Sequence, residues 1–472
     1  MKPALALALL AGLAGCAPGQ PFRTATGFTA HVLCSETFVT GQDPDRSFAE
    51  YVAPSIGRVA ALATRYRVDR DGQAVEARFA GLFPARAVNR AGRGCTLVQG
   101  GQMPAPLDLP DRLPAGSVLA SALAAPVPPG DPRIAAALDR AFAEAADGPD
   151  KGRRAIVIVR HGRILAERYA PGIGPDTRLL SWSMAKSVTN ALIGLLVAEG
   201  QLALHGPAPV PAWAAPEDPR HAVSIDMLLR QSSGQPFGSA NSGLDRATRM
   251  LFQEVDMAGY AAAARFKGRP GAQWSYTDGN YAILSGILRD RLGGAQGVAD
   301  FARRRLFAPA GMASALQEFD LSGAPMGATH VYATARDWAR FGLLYLNDGR
   351  AGGRQVLPQG WAAYSARPTA VADQGYGAGF WTNRGNSRGA RLRRCLGMPP
   401  GSYFASGHSG QTLLILPEQD MVLVSLGFST APDTLSTARA ALLVRDVLGP
   451  QIAPEEGSAA MMLQRCQVAI GA

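Results

Sequence analysis

Ser183-Met184-Ala185-Lys186 opens a segment, 184–199, in which Ala, Val, Leu and Ile recur at helical spacing before a stop at Gly200. Ser183 is thereby predicted at a helix N-terminus, where unpaired N–H groups and the positive dipole end favour developing negative charge. Residues three apart on a helix are neighbours, so Lys186 can reach the Ser183 hydroxyl. Lysine is scarce: Lys2, Lys151, Lys186 and Lys267 stand among 47 basic residues, and the rest are arginine. A guanidinium does not release its proton in a protein, whereas a partly desolvated ammonium can. A lysine at 186 therefore suits a base beside a serine nucleophile. Ser-x-x-Lys also occurs on ordinary helices with the lysine solvated, so this reading needs further motifs.

The N-terminus carries an export signal. Lys2 supplies a positive n-region, 3–12 an apolar h-region, and Leu13-Ala14-Gly15-Cys16 has the form of a lipobox. Residues 1–15 are read as a lipoprotein signal peptide and Cys16 as the lipidated first residue of an exported chain. An ordinary signal peptide cleaved nearby is the alternative. The expected location is the cell envelope, on the periplasmic side of the outer membrane, because Ala17 rather than Asp follows the cysteine. No other run reaches the roughly 18 apolar residues needed to span a bilayer, so the lipid is the only membrane contact expected. Of 472 residues, 47% are hydrophobic and 18% charged, an ordinary globular balance that argues against disorder. The formal charge is +10, and its densest clusters are Arg303-Arg304-Arg305 and 391–394. Neither has interleaved aromatics, so solvated arginine faces are expected rather than a nucleic-acid partner.

Setting Cys16 aside leaves Cys34, Cys95, Cys395 and Cys466, which in an oxidising compartment permit three pairings. Cys34 with Cys95 and Cys395 with Cys466 is favoured, because each pair stays within one plausible unit; buried free thiols are the alternative. Neither the cysteines nor the scattered histidines have metal-ligand spacing. No metal and no cofactor is expected.

Residues 16–103 mix short strands and loops, with turn signals at Gly41-Gln42-Asp43-Pro44 and Asp69-Arg70-Asp71-Gly72, and are read as a small accessory domain. Residues 104–132 form a Pro/Ala-rich linker. The main domain follows over 133–450, with 451–472 as a C-terminal extension. Within it, apolar runs at 155–159 and 164–169 flank His161-Gly162, a hairpin signal. A second pair, 412–416 and 421–426, flanks Pro417-Glu418-Gln419-Asp420. Together these predict one antiparallel sheet built from distant parts of the chain, with 435–448 as a helix able to cover it. Helical patterns lie between, including 296–306 and 334–346.

Two more motifs join Ser183 and Lys186. Pro270-Gly271-Ala272-Gln273-Trp274-Ser275-Tyr276-Thr277-Asp278-Gly279-Asn280-Tyr281 presents Tyr276 in a turn, and Gly407-His408-Ser409-Gly410-Gln411 opens the C-terminal hairpin. In order and spacing these resemble the Ser-x-x-Lys, Tyr-x-Asn and Lys-Thr-Gly motifs of the penicillin-recognising serine hydrolases. The nearest branch holds class C β-lactamases, DD-peptidases, related esterases and 6-aminohexanoate dimer hydrolases. Leu228-Leu229-Arg230-Gln231-Ser232-Ser233-Gly234 and Ala333-Thr334-Ala335-Arg336-Asp337-Trp338-Ala339-Arg340-Phe341-Gly342 resemble two further family segments. The resemblance runs over about 150–450. It implies an α+β fold: an antiparallel sheet with helices on both faces, joined to a mostly helical domain, with the site between them. It also implies that Ser183 attacks an acyl carbonyl, that Tyr276 as phenolate shares the proton with Lys186, and that the backbone N–H groups of Ser183 and Gln411 form the oxyanion hole.

Two departures from the family pattern bear on substrate. Asp278 occupies the third position of Tyr-x-Asn, so an amide able to donate becomes a carboxylate that cannot. Asn280 carries an amide, but at the wrong spacing. His408 replaces the third-motif lysine and removes a permanent positive charge, while Ser409 keeps the hydroxyl and Gly410 follows. A rival motif, Gly385-Asn386-Ser387-Arg388-Gly389, has the form of a nucleophile elbow, but no β-rich apolar run leads into it. It is read as a solvated loop. The function expected is a serine hydrolase cleaving a small ester or amide through a Ser183 acyl-enzyme. The alternatives are a DD-peptidase or β-lactamase acting on cell-wall peptides or β-lactams, and a non-catalytic envelope scaffold of the same fold.

Overall fold

In the computed structural model the described residues are 19–109, 125–147, 152–235, 237–238, 243, 245–266, 268–429, 433–449 and 459–471. The stretch read as a signal peptide, 1–15, and Cys16 lie outside them, as does part of the 104–132 segment read as a linker. The N-terminal region differs from the strands and loops expected of it. It opens with a 19-residue helix, α1 (Gln20–Phe38), much of it buried. Four antiparallel strands follow in sequence order: β1 (Thr64–Asp69), β2 (Ala74–Phe79), β3 (Leu82–Arg90) and β4 (Gly94–Val98). The Asp69–Gly72 turn joins the first hairpin, and Asp69 Oδ1 accepts from Gly72 N at 3.0 Å. This sheet shares no strand with the others. Its helix does not stand apart, because Ala30, Val32, Leu33 and Cys34 pack in the same core cluster as Met184, Leu192 and Trp338.

The remaining elements run as follows. Helix α2 (Pro132–Asp147) precedes β5 (Arg153–Arg160), β6 (Arg163–Tyr169) and β7 (Leu179–Leu180). Then come α3 (Ala185–Ala198), α4 (Asp278–Leu292), β8 (Leu316–Gln317), β9 (Val331–Ala333) and α5 (Ala335–Leu346). A small hairpin, β10 (Arg350–Ala351) with β11 (Arg354–Gln355), leads to β12 (Trp381–Thr382) and α6 (Arg388–Cys395). The chain closes with β13 (Tyr403–Gly407), β14 (Gln411–Leu416), β15 (Met421–Gly427), α7 (Asp433–Leu448) and α8 (Ala459–Ala469).

Both predicted hairpins form, and they meet in one six-stranded sheet of order β12-β13-β14-β15-β5-β6. The register pairs Leu423 with Ile158 and Val424 with Val157, which joins segments from opposite ends of the main domain. Alternation along each strand sorts the sheet into two apolar faces. Ile156, Ile158, Leu414 and Leu423 face α2 and α7 through Leu138, Leu443 and Val444. Val157, Val159, Leu413, Val422 and Val424 face the other way, into the larger core. There α5 lies so close that a Cβ on Gly342 would come within 2.5 Å of Val422 Cγ1, so only glycine fits. The predicted helix at 334–346 is α5, with the Thr334 side chain capping Asp337 N. The 296–306 pattern is a helix over Ala295–Phe301 that widens through Ala302–Phe307.

The sulfurs join in the favoured pattern. Cys34–Cys95 ties α1 to β4, and Cys395–Cys466 ties α6 to α8 in the C-terminal extension. One expectation of solvation fails. Arg393, in the run read as a solvated face, is buried and donates to Asn383 Oδ1, Gln374 O, Gly375 O and Thr382 O. Ser387 ends the exposed loop expected around it: Gly385 and Asn386 are exposed, and Ser387 caps α6, its hydroxyl accepting from Ala390 N at 3.2 Å.

Candidate active site

The turn that carries Ser183 is built by strain and packing together. Trp182–Met184 forms a single 3₁₀ turn that runs into α3. Ser181 N donates to Val331 O at 3.0 Å and Val331 N to Ser181 Oγ at 3.3 Å, which ties the turn to β9. From the other side comes the end of β13: a Cβ on Gly407 would lie 2.2 Å from Ser181 O, so the glycine of the third motif is required for this approach. Trp182 has φ +46°, a left-handed conformation that costs a side-chain-bearing residue on the order of 1–3 kcal/mol and persists only where the surroundings enforce it. Ser183, the next residue, is half-buried at the surface of this turn.

Lys186 lies one turn further along α3 and is 1% exposed. Its Nζ donates to Ser183 Oγ at 3.0 Å, Asp278 Oδ1 at 2.5 Å and Ala328 O at 2.8 Å. An ammonium has three donors, and here each has an acceptor. Asp278 is 3% exposed and stands in the first turn of α4, where the helix dipole also favours an anion. The motif's third position is therefore a buried counter-ion of Lys186. Asn280, the amide two residues on, is fully buried: Ser233 Oγ donates to its Oδ1 at 2.6 Å and it donates to Gln231 Oε1 at 2.9 Å. It cannot take the missing asparagine's place.

Tyr276 sits in the loop before α4, half-buried, with its ring centre 5.0 Å from Lys186 Nζ. Gln231 holds that loop from both sides, accepting from Thr277 N at 3.2 Å and donating to Thr277 O at 3.0 Å. The 228–234 segment thus positions the tyrosine, which its sequence alone did not show. Two other tyrosines lie near. Burial, then the neighbouring Tyr376, pushes the Tyr281 phenol well up; burial, then Tyr276, does the same to Tyr376. Both stay neutral phenols. The Tyr276 ring stacks on Trp381 at 5.3 Å and meets Tyr376 edge-on at 5.8 Å, and Trp274 lies 6.0 Å from Trp381. The sequence reading missed this aromatic wall, for which Tyr376 and Trp381 five residues apart were the available signal.

The third motif is a 3₁₀ turn, His408–Gly410, between β13 and β14. His408 is exposed and meets the Trp182 ring edge-on at 5.6 Å. Ser409 is buried with φ +63° and lines a small cavity with Gly410, Arg153, Ser425 and Ser436, and its hydroxyl oxygen is itself buried. Gln411 pairs with Gly407 at the start of the ladder, and its side chain turns inward, accepting from Gly427 N at 3.1 Å. Of this motif only the His408 side chain and backbone N–H groups are left to face a substrate. Ser387 is engaged as the α6 cap, remote in function from Lys186 and Tyr276.

Among the described residues, one group brings metal-binding side chains together: His31, Glu318 and His330, with ligand atoms within 4.8 Å of one another. The two imidazoles are stacked, centroids 4.7 Å apart and planes 4° apart. A metal bonded to a ring nitrogen lies in the ring plane, and stacked parallel planes have no common point for it. Glu318 already accepts from His31 Nε2 at 2.9 Å, Ser35 Oγ at 2.7 Å and Cys95 N at 2.8 Å. Burial, then His31, holds the His330 imidazole well below its usual range, so that ring is neutral. The group is a hydrogen-bonded clasp between α1, β4 and the segment before β9.

Comparison with known proteins identifies the family and the fold. The profile of the family described as Beta-lactamase matches residues 138–446. The chain is 28% identical, over 300 residues, to the 6-aminohexanoate-dimer hydrolase of Paenarthrobacter ureafaciens, covering 59% of this chain and 74% of the relative. A class C beta lactamase from Rhodobacter sphaeroides superposes with a TM-score of 0.51 at 18% identity, over 68% of this chain and 100% of that one. A penicillin-binding protein homologue from Caulobacter crescentus does so with a TM-score of 0.51 at 17% identity, over 68% and 99%. The hydrolase EstCE1, described as having promiscuous acyltransferase activity, gives 0.52 at 16% identity, over 66% and 99%.

Proposed function

Because the chain belongs to the beta-lactamase family, we propose that it is a serine hydrolase that cleaves small, neutral esters or unstrained amides through a Ser183 acyl-enzyme. The observation that carries this reading is the contact of Lys186 Nζ with both Ser183 Oγ and Asp278 Oδ1. With its ammonium paired to a carboxylate, Lys186 serves as the cation beside Tyr276 and the Tyr276 phenolate serves as the base. Ser183 Oγ bonds to the acyl carbon as its proton passes to Tyr276. The tetrahedral oxyanion is met by the backbone N–H groups of Ser183 and Gln411. Collapse breaks the bond to the leaving oxygen or nitrogen, which takes the proton from Tyr276. Water, giving its proton to Tyr276, then bonds to the acyl carbon; the bond from that carbon to Ser183 Oγ breaks, Tyr276 returns the proton to Oγ, and the acid leaves.

Charge sets the substrate class. A β-lactam brings a carboxylate, and this cleft offers His408 where the family has lysine, and a carboxylate where it has an amide. A lost hydrogen bond to a charged group is worth about 1.5–3 kcal/mol, so losing the lysine contact to that carboxylate lowers β-lactam turnover about tenfold to a hundredfold. Esters need neither contact. A panel of short esters, linear amides, D-Ala-D-Ala peptides and a chromogenic cephalosporin tests this, with short esters expected to show the highest kcat/KM. A higher value for the cephalosporin overturns it in favour of the β-lactamase alternative.

We also propose that Cys16 anchors the protein to the cell envelope by lipid, on the strength of Leu13-Ala14-Gly15-Cys16 after an apolar run. Cys16→Ser is expected to move the protein from the membrane fraction to the soluble one. A variant still sedimenting with membranes would refute the anchor.

A further inference from the structure

The N-terminal region, 19–109, lies outside the segment matched by the family profile. We propose that it is a positioning element for the nucleophile: its rings Phe28 and Tyr51 clamp the Trp182 indole and so hold the left-handed turn that aims Ser183. The inference rests on the serine mechanism proposed above.

Trp182 is 5% exposed, and four rings surround it. Phe28 of α1 lies parallel to the indole at 6.5 Å and 17°, and Tyr51, from the short helices after α1, stands at 6.4 Å and 63°. His330 stands on the catalytic side at 5.3 Å and His408 at 5.6 Å. Two of the four are thus supplied by the N-terminal region. Those two are themselves fixed. Phe28 packs edge-on against Phe252 at 5.2 Å, and Tyr51 stacks on Phe428 at 4.3 Å and 13°. One turn beyond Phe28, His31 stacks on His330 and meets Glu318, so α1 grips both the indole and the imidazole behind it. Cys34–Cys95 locks the same stretch of α1 to β4.

The clamp matters because of where the strain sits. A non-glycine residue with φ +46° relaxes when its side chain is released, and Trp182 precedes Ser183 directly. The same indole meets His408, and Phe428, under Tyr51, precedes Ser429, whose N–H donates to Ser409 O at 2.9 Å. Releasing the clamp therefore loosens the nucleophile turn and the third-motif turn together. Those two carry the proposed oxyanion donors.

The test uses the full chain and reads the second-order rate constant for fluorophosphonate labelling of Ser183, with kcat and KM for a short ester. Phe28→Ala and Tyr51→Ala are expected to lower labelling and kcat by roughly 10- to 100-fold, the range for a misplaced reacting group, with KM little changed. Tyr51→Phe keeps the ring and is expected to restore the rate. Leu443→Ala, a buried change on α7 in the separate core on the other face of the sheet, should lower thermal stability and leave labelling intact. The decisive comparison replaces the strained residue: in a Trp182→Gly background, which adopts φ +46° without cost, Phe28→Ala should have no further effect. Should Phe28→Ala not fold, Phe28→Leu, which lacks the ring, is expected to act in the same direction. Unchanged labelling in the folded Phe28 and Tyr51 variants, or effects that simply add in the Trp182→Gly background, overturns the clamp. An unlabelled wild-type protein instead overturns the Ser183 mechanism, so the two failures are distinct.

Discussion

Ser183→Ala is expected to lower ester turnover by about 10⁴-fold or more and to abolish fluorophosphonate labelling, while leaving thermal stability near that of the wild type. The hydroxyl is half-buried and accepts from Lys186 Nζ at 3.0 Å, so its loss removes one of three contacts of a cation that keeps Asp278 and Ala328 O. Its role is chemical rather than structural. Tyr276→Phe should cost nearly as much, because the base is lost while the ring keeps its stack on Trp381. If the two act as one unit, the double variant will be little worse than either single. Intact mass with a slow substrate should place an adduct on Ser183. Activity that survives Ser183→Ala but falls with Ser387→Ala would transfer the nucleophile to the rival elbow, against the placement of Ser387 as a helix cap.

Sequence patterning showed the main sheet because both its hairpins bury two faces and so read as continuous apolar runs between turn signals. Helix α1 was hidden for the opposite reason. Its buried positions include Thr24, Thr26, Thr29, His31 and Ser35, so the inward face carries polar residues and gives no apolar stripe. These positions bond instead: the Thr29 hydroxyl donates to Ala25 O within the helix, and Ser35 reaches Glu318, 283 residues away. Partners at that separation leave no local trace. Arg393 misled for a related reason, since four acceptors 10 to 19 residues away can bury a guanidinium that composition assigns to solvent. At the site, the motifs located Ser183, Lys186 and Tyr276 because family spacing preserves chemistry. The backbone strain at Trp182 and the inward turn of Ser409 and Gln411 follow from tertiary contacts that no motif encodes.

Lys186→Ala is expected to be the most destabilising single change at the site, by about 3–5 kcal/mol, because it strands a buried carboxylate. Asp278 is 3% exposed, and Lys186 Nζ at 2.5 Å is its ion-pair partner. Taking the cation away leaves the charge in the interior without its lysine ion-pair partner. Asp278→Asn removes the other charge more gently: the amide oxygen still accepts from Lys186, which keeps Ala328 O and Ser183 Oγ. The double variant Lys186→Met with Asp278→Asn carries neither charge and fills the lysine's space, so it should regain most of the stability lost in Lys186→Ala. Chemical denaturation of the wild type, Lys186→Met, Asp278→Asn and their double variant closes the cycle and gives the coupling directly. Recovery in the double variant would show that the pair is a matched charge and not two independent contacts. Simple addition of the two single losses, or a Lys186→Ala protein as stable as the wild type, would remove Asp278 as the counter-ion. Activity separates from stability across the same set: the double variant folds but lacks the cation beside Tyr276, so it should turn over esters no faster than Lys186→Ala. Asp278→Asn retains that cation and restores an amide at the family's position, and joined to His408→Lys it should raise cephalosporin turnover more than ester turnover. A charge arrangement that holds the lysine in place is thus expected to be the same one that turns anionic substrates away.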